Sequence, residues 1–199
     1  HLIFLNKNEP WPALFKRCEI RVRAMHPLWD VRIVDEEYAI NFLVRYLPEY
    51  IGTFQNFMYN VQKADFLRLA LVYVYGGVYM DLDMLVLRPL DDLCCHSLVL
   101  AEEKTISWKI KESLGLNYAK RIANYMFAAE PGHPFIRCAM ERMKTLSVIP
   151  IETQQQLLDI TGPGLLTDLY WENVDKFPDM TLLENTDRWC LVPGHHEVS

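Results

Sequence analysis

From Ala64 to Met80 the chain carries only two charged residues, Asp65 and Arg68. The apolar residues of 61–75 fall on every side of a helical projection. Such a segment is a helix surrounded by protein, not one lying on a surface. Asp65 and Arg68 are three residues apart and share a helix face. A buried charge is costly unless paired, so the two either hold each other or line a polar pocket whose ligand completes their partners. Gly76-Gly77 stops the helix. A β-prone run then ends in Asp81-Leu82-Asp83.

Read as a strand over 78–83, this run points alternate side chains to one face. Tyr79, Asp81 and Asp83 then project together, and Met80, Leu82 and Met84 face the other way. Neighbouring carboxylates repel each other unless a cation sits between them. A hard divalent metal meets that need and can grip a diphosphate in turn. The glycine pair reads as a place where backbone can approach a ligand closely.

The rest of the chain supplies a setting for these residues. With 199 residues and a hydrophobic fraction of 51%, the expectation is one domain over 1–199. There is no repeat, low-complexity stretch or linker. The chain starts at His1 and not at Met, as a piece of a longer protein would. A formal net charge of -6 argues against nucleic acid as a partner. It leaves room for a small anionic ligand, because a metal reverses local charge. The longest apolar stretch, 69–80, is too short to span a bilayer, and no signal peptide is seen. Cys18, Cys94, Cys95, Cys138 and Cys190 lack metal-type spacing and read as free thiols of a reducing compartment. The expected location is cytoplasmic or soluble; a secretory lumen stays open for a chain with a leader or anchor upstream.

Strands are expected at 2–5, 30–34, 78–83, 97–101, 122–129, 181–184 and 190–192, with a further apolar run at 84–87. Helices are expected after Pro12 to residue 25, at 36–46, 61–75 and 134–146, and from the Thr161-Gly162-Pro163-Gly164 turn to 171. Residues 48–57 read as loop. Strand alternating with helix is the pattern of an α/β domain with a mixed, mostly parallel central sheet flanked by helices. His133, before Pro134, reads as a helix-start residue and His26 as structural. Trp11, Trp29 and Trp108 are either core residues or stacking surfaces.

The motif A-D-x-x-R (Ala64, Asp65, Arg68) followed by G-G-x-Y-x-D-x-D (Gly76, Gly77, Tyr79, Asp81, Asp83) resembles the sugar-binding region of the DXD glycosyltransferases. That group includes the fungal initiating mannosyltransferases, with bacterial and viral relatives, and more distantly the glucosylating clostridial toxins. Weaker similarity runs through Asn124, Pro131-Gly132-His133-Pro134 and Thr161-Gly162-Pro163 to a His near the C-terminus. The resemblance implies a single Rossmann-like GT-A domain that uses a nucleotide-sugar donor with Mn²⁺ or Mg²⁺. It implies Asp81 and Asp83 as metal and donor ligands, and Tyr79 near the ribose. Asp65 and Arg68 would contact the donor sugar, with Asn124 and Gly162 also in the donor set. One of His195 and His196 would be a third metal ligand.

The implied reaction is transfer of a hexose to a glycan or glycoprotein acceptor, with a lipid acceptor also open, and with retention of anomeric configuration. UDP-glucose is expected first as donor and GDP-mannose next. No protein nucleophile or base is assigned. Glu102 and Glu103 are either acceptor-side carboxylates or part of a solvated loop. Two rivals use the same carboxylates. A phosphatase of the haloacid dehalogenase kind would take Asp81 and Asp83 as nucleophile and acid, but its motif follows the first strand of that fold. A glycosidase needs carboxylates across a sugar, not side by side. A non-catalytic nucleotide-sugar-binding module is the alternative from another class.

Overall fold

The computed structural model describes residues 1–5, 10–105, 120–184 and 186–191. In chain order the elements are β1 (Leu2–Ile3), α1 (Ala13–Met25), β2 (Ile33–Val34), α2 (Glu36–Tyr46), α3 (Ile51–Asn56), α4 (Asn60–Tyr75), β3 (Gly77–Met80), β4 (Met84–Val86), β5 (Leu98–Thr105), β6 (Lys120–Ala129), α5 (Pro134–Leu146), α6 (Gln154–Ile160), α7 (Pro163–Asn173), β7 (Met180–Leu183) and β8 (Trp189–Leu191). Short 3₁₀ turns occupy Pro48–Tyr50 and Asp91–Cys95.

The central sheet has the order β3-β6-β5-β7. Beyond β3 the parallel pair β1-β2 continues it. The His1 nitrogen donates to the Val78 carbonyl at 2.7 Å, and the Met80 N–H donates to the His1 carbonyl at 3.2 Å, the pattern of a parallel ladder. β6 runs antiparallel to both β3 and β5, while β7 is parallel to β5. β4 leaves this sheet and pairs antiparallel with β8. The sheet is mixed and mostly parallel, as expected: among its described strands β1, β2, β3, β5 and β7 run one way and β6 runs against them. Buried strands are apolar in either orientation, so their pattern carries no direction.

Side chains alternate between the two faces, as a pleat requires. Tyr79, Leu98, Leu100, Ile122 and Phe127 join the core built around α4, α5 and α7. Val78, Met80, Val99, Ala123 and Met126 join a second core with Val22 of α1, with β4 and with Trp189. α4 is apolar all round because the sheet covers one side and residues of α2, α3 and α5, among them Phe42, Phe54 and Phe135, cover the rest.

Local signals explain the helix starts. Asp35 caps α2 through the Tyr38 N–H at 2.8 Å. His133 Nδ1 accepts the Phe135 N–H at 3.2 Å with Pro134 next to it, which is the helix-start role read for it. α6 was not expected from sequence, although Thr153 and Gln156 form a capping box there. α3 and a 3₁₀ turn occupy part of 48–57, where loop was expected; the segment is too short for a period to show. Glu102 and Glu103 sit within β5, which continues to Thr105 through irregular register, and Glu103 pairs with Arg121 at 2.8 Å. They are strand residues, not a solvated loop.

Candidate functional site

β3 ends at Met80, so Asp81-Leu82-Asp83 is not strand as the alternation argument assumed. The three residues form a turn, closed by the Met84 N–H on the Asp81 carbonyl at 3.2 Å. The chain must turn here because β4 departs to meet β8. The facing predicted from the pattern nevertheless holds. Tyr79 lies in one core, and Met80, Leu82 and Met84 lie in the other. The Asp81 N–H is fixed on the Tyr125 carbonyl at 2.8 Å.

Both carboxylates line one cleft of about 310 Å³, together with Arg68, Tyr79, Asn60, Phe4 and Phe15. The cleft opens at the end of β3 and beside the end of β1, the edge at which open α/β sheets bind ligands. Behind it lies a buried polar network. Arg68, only 6% exposed, reaches Asp65 Oδ1 through Nη2 at 3.0 Å and Asp81 Oδ1 through Nη1 at 3.3 Å. Nη1 also donates to the Asn124 carbonyl at 2.6 Å. Asp65 accepts further bonds from Asn124 Nδ2 at 2.9 Å and from the Thr161 hydroxyl at 2.9 Å. The Tyr79 hydroxyl donates to Asp81 Oδ1, and the Arg68 guanidinium lies over the Tyr79 ring, 4.7 Å from its centre.

The ion-pair reading of Asp65 and Arg68 is realised, and of the two only Arg68 also lines the cleft. Asp65 is the buried anchor and Arg68 reaches the cleft. Burial pushes the Asp65 carboxyl up to about 6 against the pull of Arg68, Thr161 and Asn124, so it is ionised at neutral pH. For Arg68 burial alone would favour loss of the proton. Asp81, Tyr79, Asp65 and Asp83 outweigh it, and the guanidinium stays charged. Burial likewise pushes the Tyr79 phenol well up, so its oxygen keeps a proton to donate.

Among the described residues, the charged groups lining the cleft are Arg68, Asp81 and Asp83. Carboxylates exceed cations there, and hard oxygen donors suit Mn²⁺ or Mg²⁺. No group of three or more His, Cys, Asp or Glu side chains that could enclose a metal occurs among the described residues. Asp81 and Asp83 are the two side chains there that would hold such a metal through carboxylate oxygens. His195, His196 and Trp108 lie outside the described residues.

Gly162 caps α7, and a Cβ there would meet the Leu158 carbonyl oxygen at 2.9 Å. Its neighbour Thr161 carries the contact to Asp65. Sequence reasoning missed Thr161 as an individual residue, and it missed Phe4 and Phe15. The hydroxyl one residue ahead of the Gly-Pro helix start, and an aromatic at the end of the first strand, were the available signals. Gly76 and Gly77 lie at the opposite end of β3 from the carboxylates. A Cβ on Gly76, whose φ is 68°, would meet the Pro131 ring at 2.7 Å. Gly76 closes α4 and seats Pro131, a Cβ on Gly77 would meet nothing within 4 Å, and neither glycine lines the acidic cleft. Trp29 bonds Asp91 and stacks on His26, and Trp11 packs on Phe4. His26 bonds the backbone at Val22 and Leu90, the structural role read for it.

No helix among the described residues is long and apolar enough to cross a membrane. Residues 12–100 match the family described as glycosyltransferase sugar-binding region containing DXD motif. The chain is 25% identical over 191 residues to inositol phosphoceramide mannosyltransferase 3 of Schizosaccharomyces pombe, covering 96% of this chain and 48% of that protein. It is 29% identical over 188 residues to an uncharacterized glycosyltransferase of Acanthamoeba polyphaga mimivirus, covering 93% of this chain and 69% of that protein. Among solved structures it resembles the PaToxG glycosyltransferase, with a TM-score of 0.63 at 14% identity over 89% of this chain and 68% of that one. The last likeness shows a shared GT-A-like fold. The chain spans about half or less of the length of the first fungal relatives it matches.

Proposed function

From a chain whose residues 12–100 are a glycosyltransferase sugar-binding region with a DXD motif, we propose a metal-dependent hexosyltransferase that uses a nucleoside diphosphate sugar. The single observation that carries the reading is one cleft in which Asp81, Asp83 and Arg68 converge above the Asp65 network. The relatives named as mannosyltransferases favour a mannosyl donor such as GDP-mannose over the UDP-glucose expected from sequence. Names that specify inositol phosphoceramide favour, within the acceptor classes left open by the sequence, a lipid that carries a phosphoinositol head group.

In this reading Asp81 and Asp83 hold Mn²⁺ or Mg²⁺. The metal, when bound, supplies Lewis-acid stabilisation of the leaving diphosphate. Arg68 donates to the donor's hydroxyl or phosphate oxygens from the side the carboxylates leave open. Asp65 orients Arg68 from behind, and Asn124 and Thr161 hold Asp65. Phe4 and Phe15 offer an apolar wall for the flat face of the nucleobase. No side chain is assigned as nucleophile, in keeping with attack by the acceptor on the face the diphosphate vacates.

Calorimetric titration with GDP-mannose and UDP-glucose, with and without Mn²⁺, tests this. Metal-dependent donor binding should be lost in Asp81→Ala and Asp83→Ala. Donor binding that ignores both the metal and the two substitutions would end the proposal. Metal-dependent binding with neither transfer nor donor hydrolysis would reduce the chain to a binding module. Mg²⁺-dependent cleavage of phosphomonoesters through an aspartyl-phosphate would replace the reading by the phosphatase.

A further inference from the structure

Tyr79 lines the cleft, yet it is only 2% exposed, and its hydroxyl is spent inside the protein. Its ring packs against Phe127 at 5.6 Å on one side and carries the Arg68 guanidinium on another. Asp81 Oδ1 thus receives two donors, the phenol of Tyr79 and Nη1 of Arg68. Both donors come from rigid, buried elements, β3 and α4. The Asp81 side chain is 31% exposed and sits on a turn. A carboxylate on a turn that must meet a cation at a fixed angle needs such an outer bond.

We propose that Tyr79 is a positioning residue for Asp81 and not a contact to the donor. The phenol pins one oxygen of Asp81 so that the carboxylate meets the cation in a single orientation. Arg68, stacked on the same ring, sets the spacing between this carboxylate and Asp65. The inference rests on the metal-binding reading of Asp81.

The test is Tyr79→Phe, which keeps the ring, its place in the core and the face under Arg68, and removes only the hydroxyl. Mn²⁺ affinity is measured by electron paramagnetic resonance in the presence of GDP, beside wild type and Asp81→Ala. Thermal unfolding in EDTA is followed for all three. Tyr79→Phe should raise the Mn²⁺ dissociation constant on the order of tenfold or more, with the unfolding midpoint in EDTA close to wild type. Excess Mn²⁺ should then restore turnover, so that the metal concentration for half-activity moves and the maximal rate does not. If Asp81→Ala weakens Mn²⁺ binding and Tyr79→Phe stays within twofold of wild type, the positioning role is overturned while the functional reading stands. If Asp81→Ala binds Mn²⁺ as wild type does, the functional reading itself fails and takes the inference with it. A Tyr79→Phe protein that does not fold would make the hydroxyl structural and would also overturn the role.

Discussion

The two ends of β3 carry clefts of nearly the same size. One, of about 310 Å³, holds Asp81, Asp83 and Arg68. The other, of about 320 Å³, lies between Gly76-Gly77, Cys94, Cys95, His96 and Glu130. Volume does not separate them; what stands behind them does. The first is backed by charge held in the interior: Asp65 and Arg68, tied to Asn124 and Thr161. The second is backed by steric closure, the Gly76 turn against Pro131. Buried ion pairs give little net stability after desolvation, so four polar partners gathered under one cleft make sense as machinery. A glycine closing a helix needs no such explanation.

Substituting the backing of each cleft separates the two. Arg68→Met should have the largest effect. It leaves Asp65 buried without its cation and should cost about 3–5 kcal/mol in urea unfolding, the range for breaking a buried pair. It should also abolish metal-dependent donor binding. Gly76→Ala should cost less, about 1–3 kcal/mol, from strain at positive φ and collision with Pro131. The folded fraction should still bind donor and Mn²⁺ as wild type does. If Gly76→Ala changed the donor dissociation constant while Arg68→Met spared it, the roles given to the two ends would be reversed.

Much of this contrast was legible in the sequence, for reasons that differ from residue to residue. The burial of α4 followed from apolar residues on all its faces. The pairing of Asp65 with Arg68 and of Tyr79 with Asp81 followed from helix and strand spacing, although Asp81 itself lies on a turn; that the two pairs meet at one site was implied by the family resemblance alone. The helices Glu36–Tyr46 and Pro134–Leu146 have their expected bounds because Asp35 and His133-Pro134 mark their starts. The mostly parallel sheet followed from strand alternating with helix, but the reversal of β6 was not legible, since a buried antiparallel strand reads the same as a parallel one. The place of the glycine pair was misjudged because permissive backbone looks alike whether it faces a ligand or a proline ring. Thr161 and Asp65, 96 residues apart in sequence, meet only through the docking of α7 on the sheet, and no local signal encodes that.

The smallest expected effect falls on the second cleft. The exposed His96 contacts the Thr181 hydroxyl across 3.1 Å through Nδ1. An exposed side-chain hydrogen bond of this kind contributes about 1 kcal/mol or less. His96→Ala should therefore barely move the unfolding midpoint and should leave donor and Mn²⁺ titrations unchanged. His96→Ala removes an imidazole, a side chain of metal-ligating type, from a cleft as roomy as the acidic one. Loss of donor binding in His96→Ala would mean that imidazole and thiols, not buried charge, mark the site on this sheet. Unchanged binding beside the losses in Asp81→Ala and Arg68→Met would leave the interior network as the feature that distinguishes a working cleft from a surface hollow of equal volume.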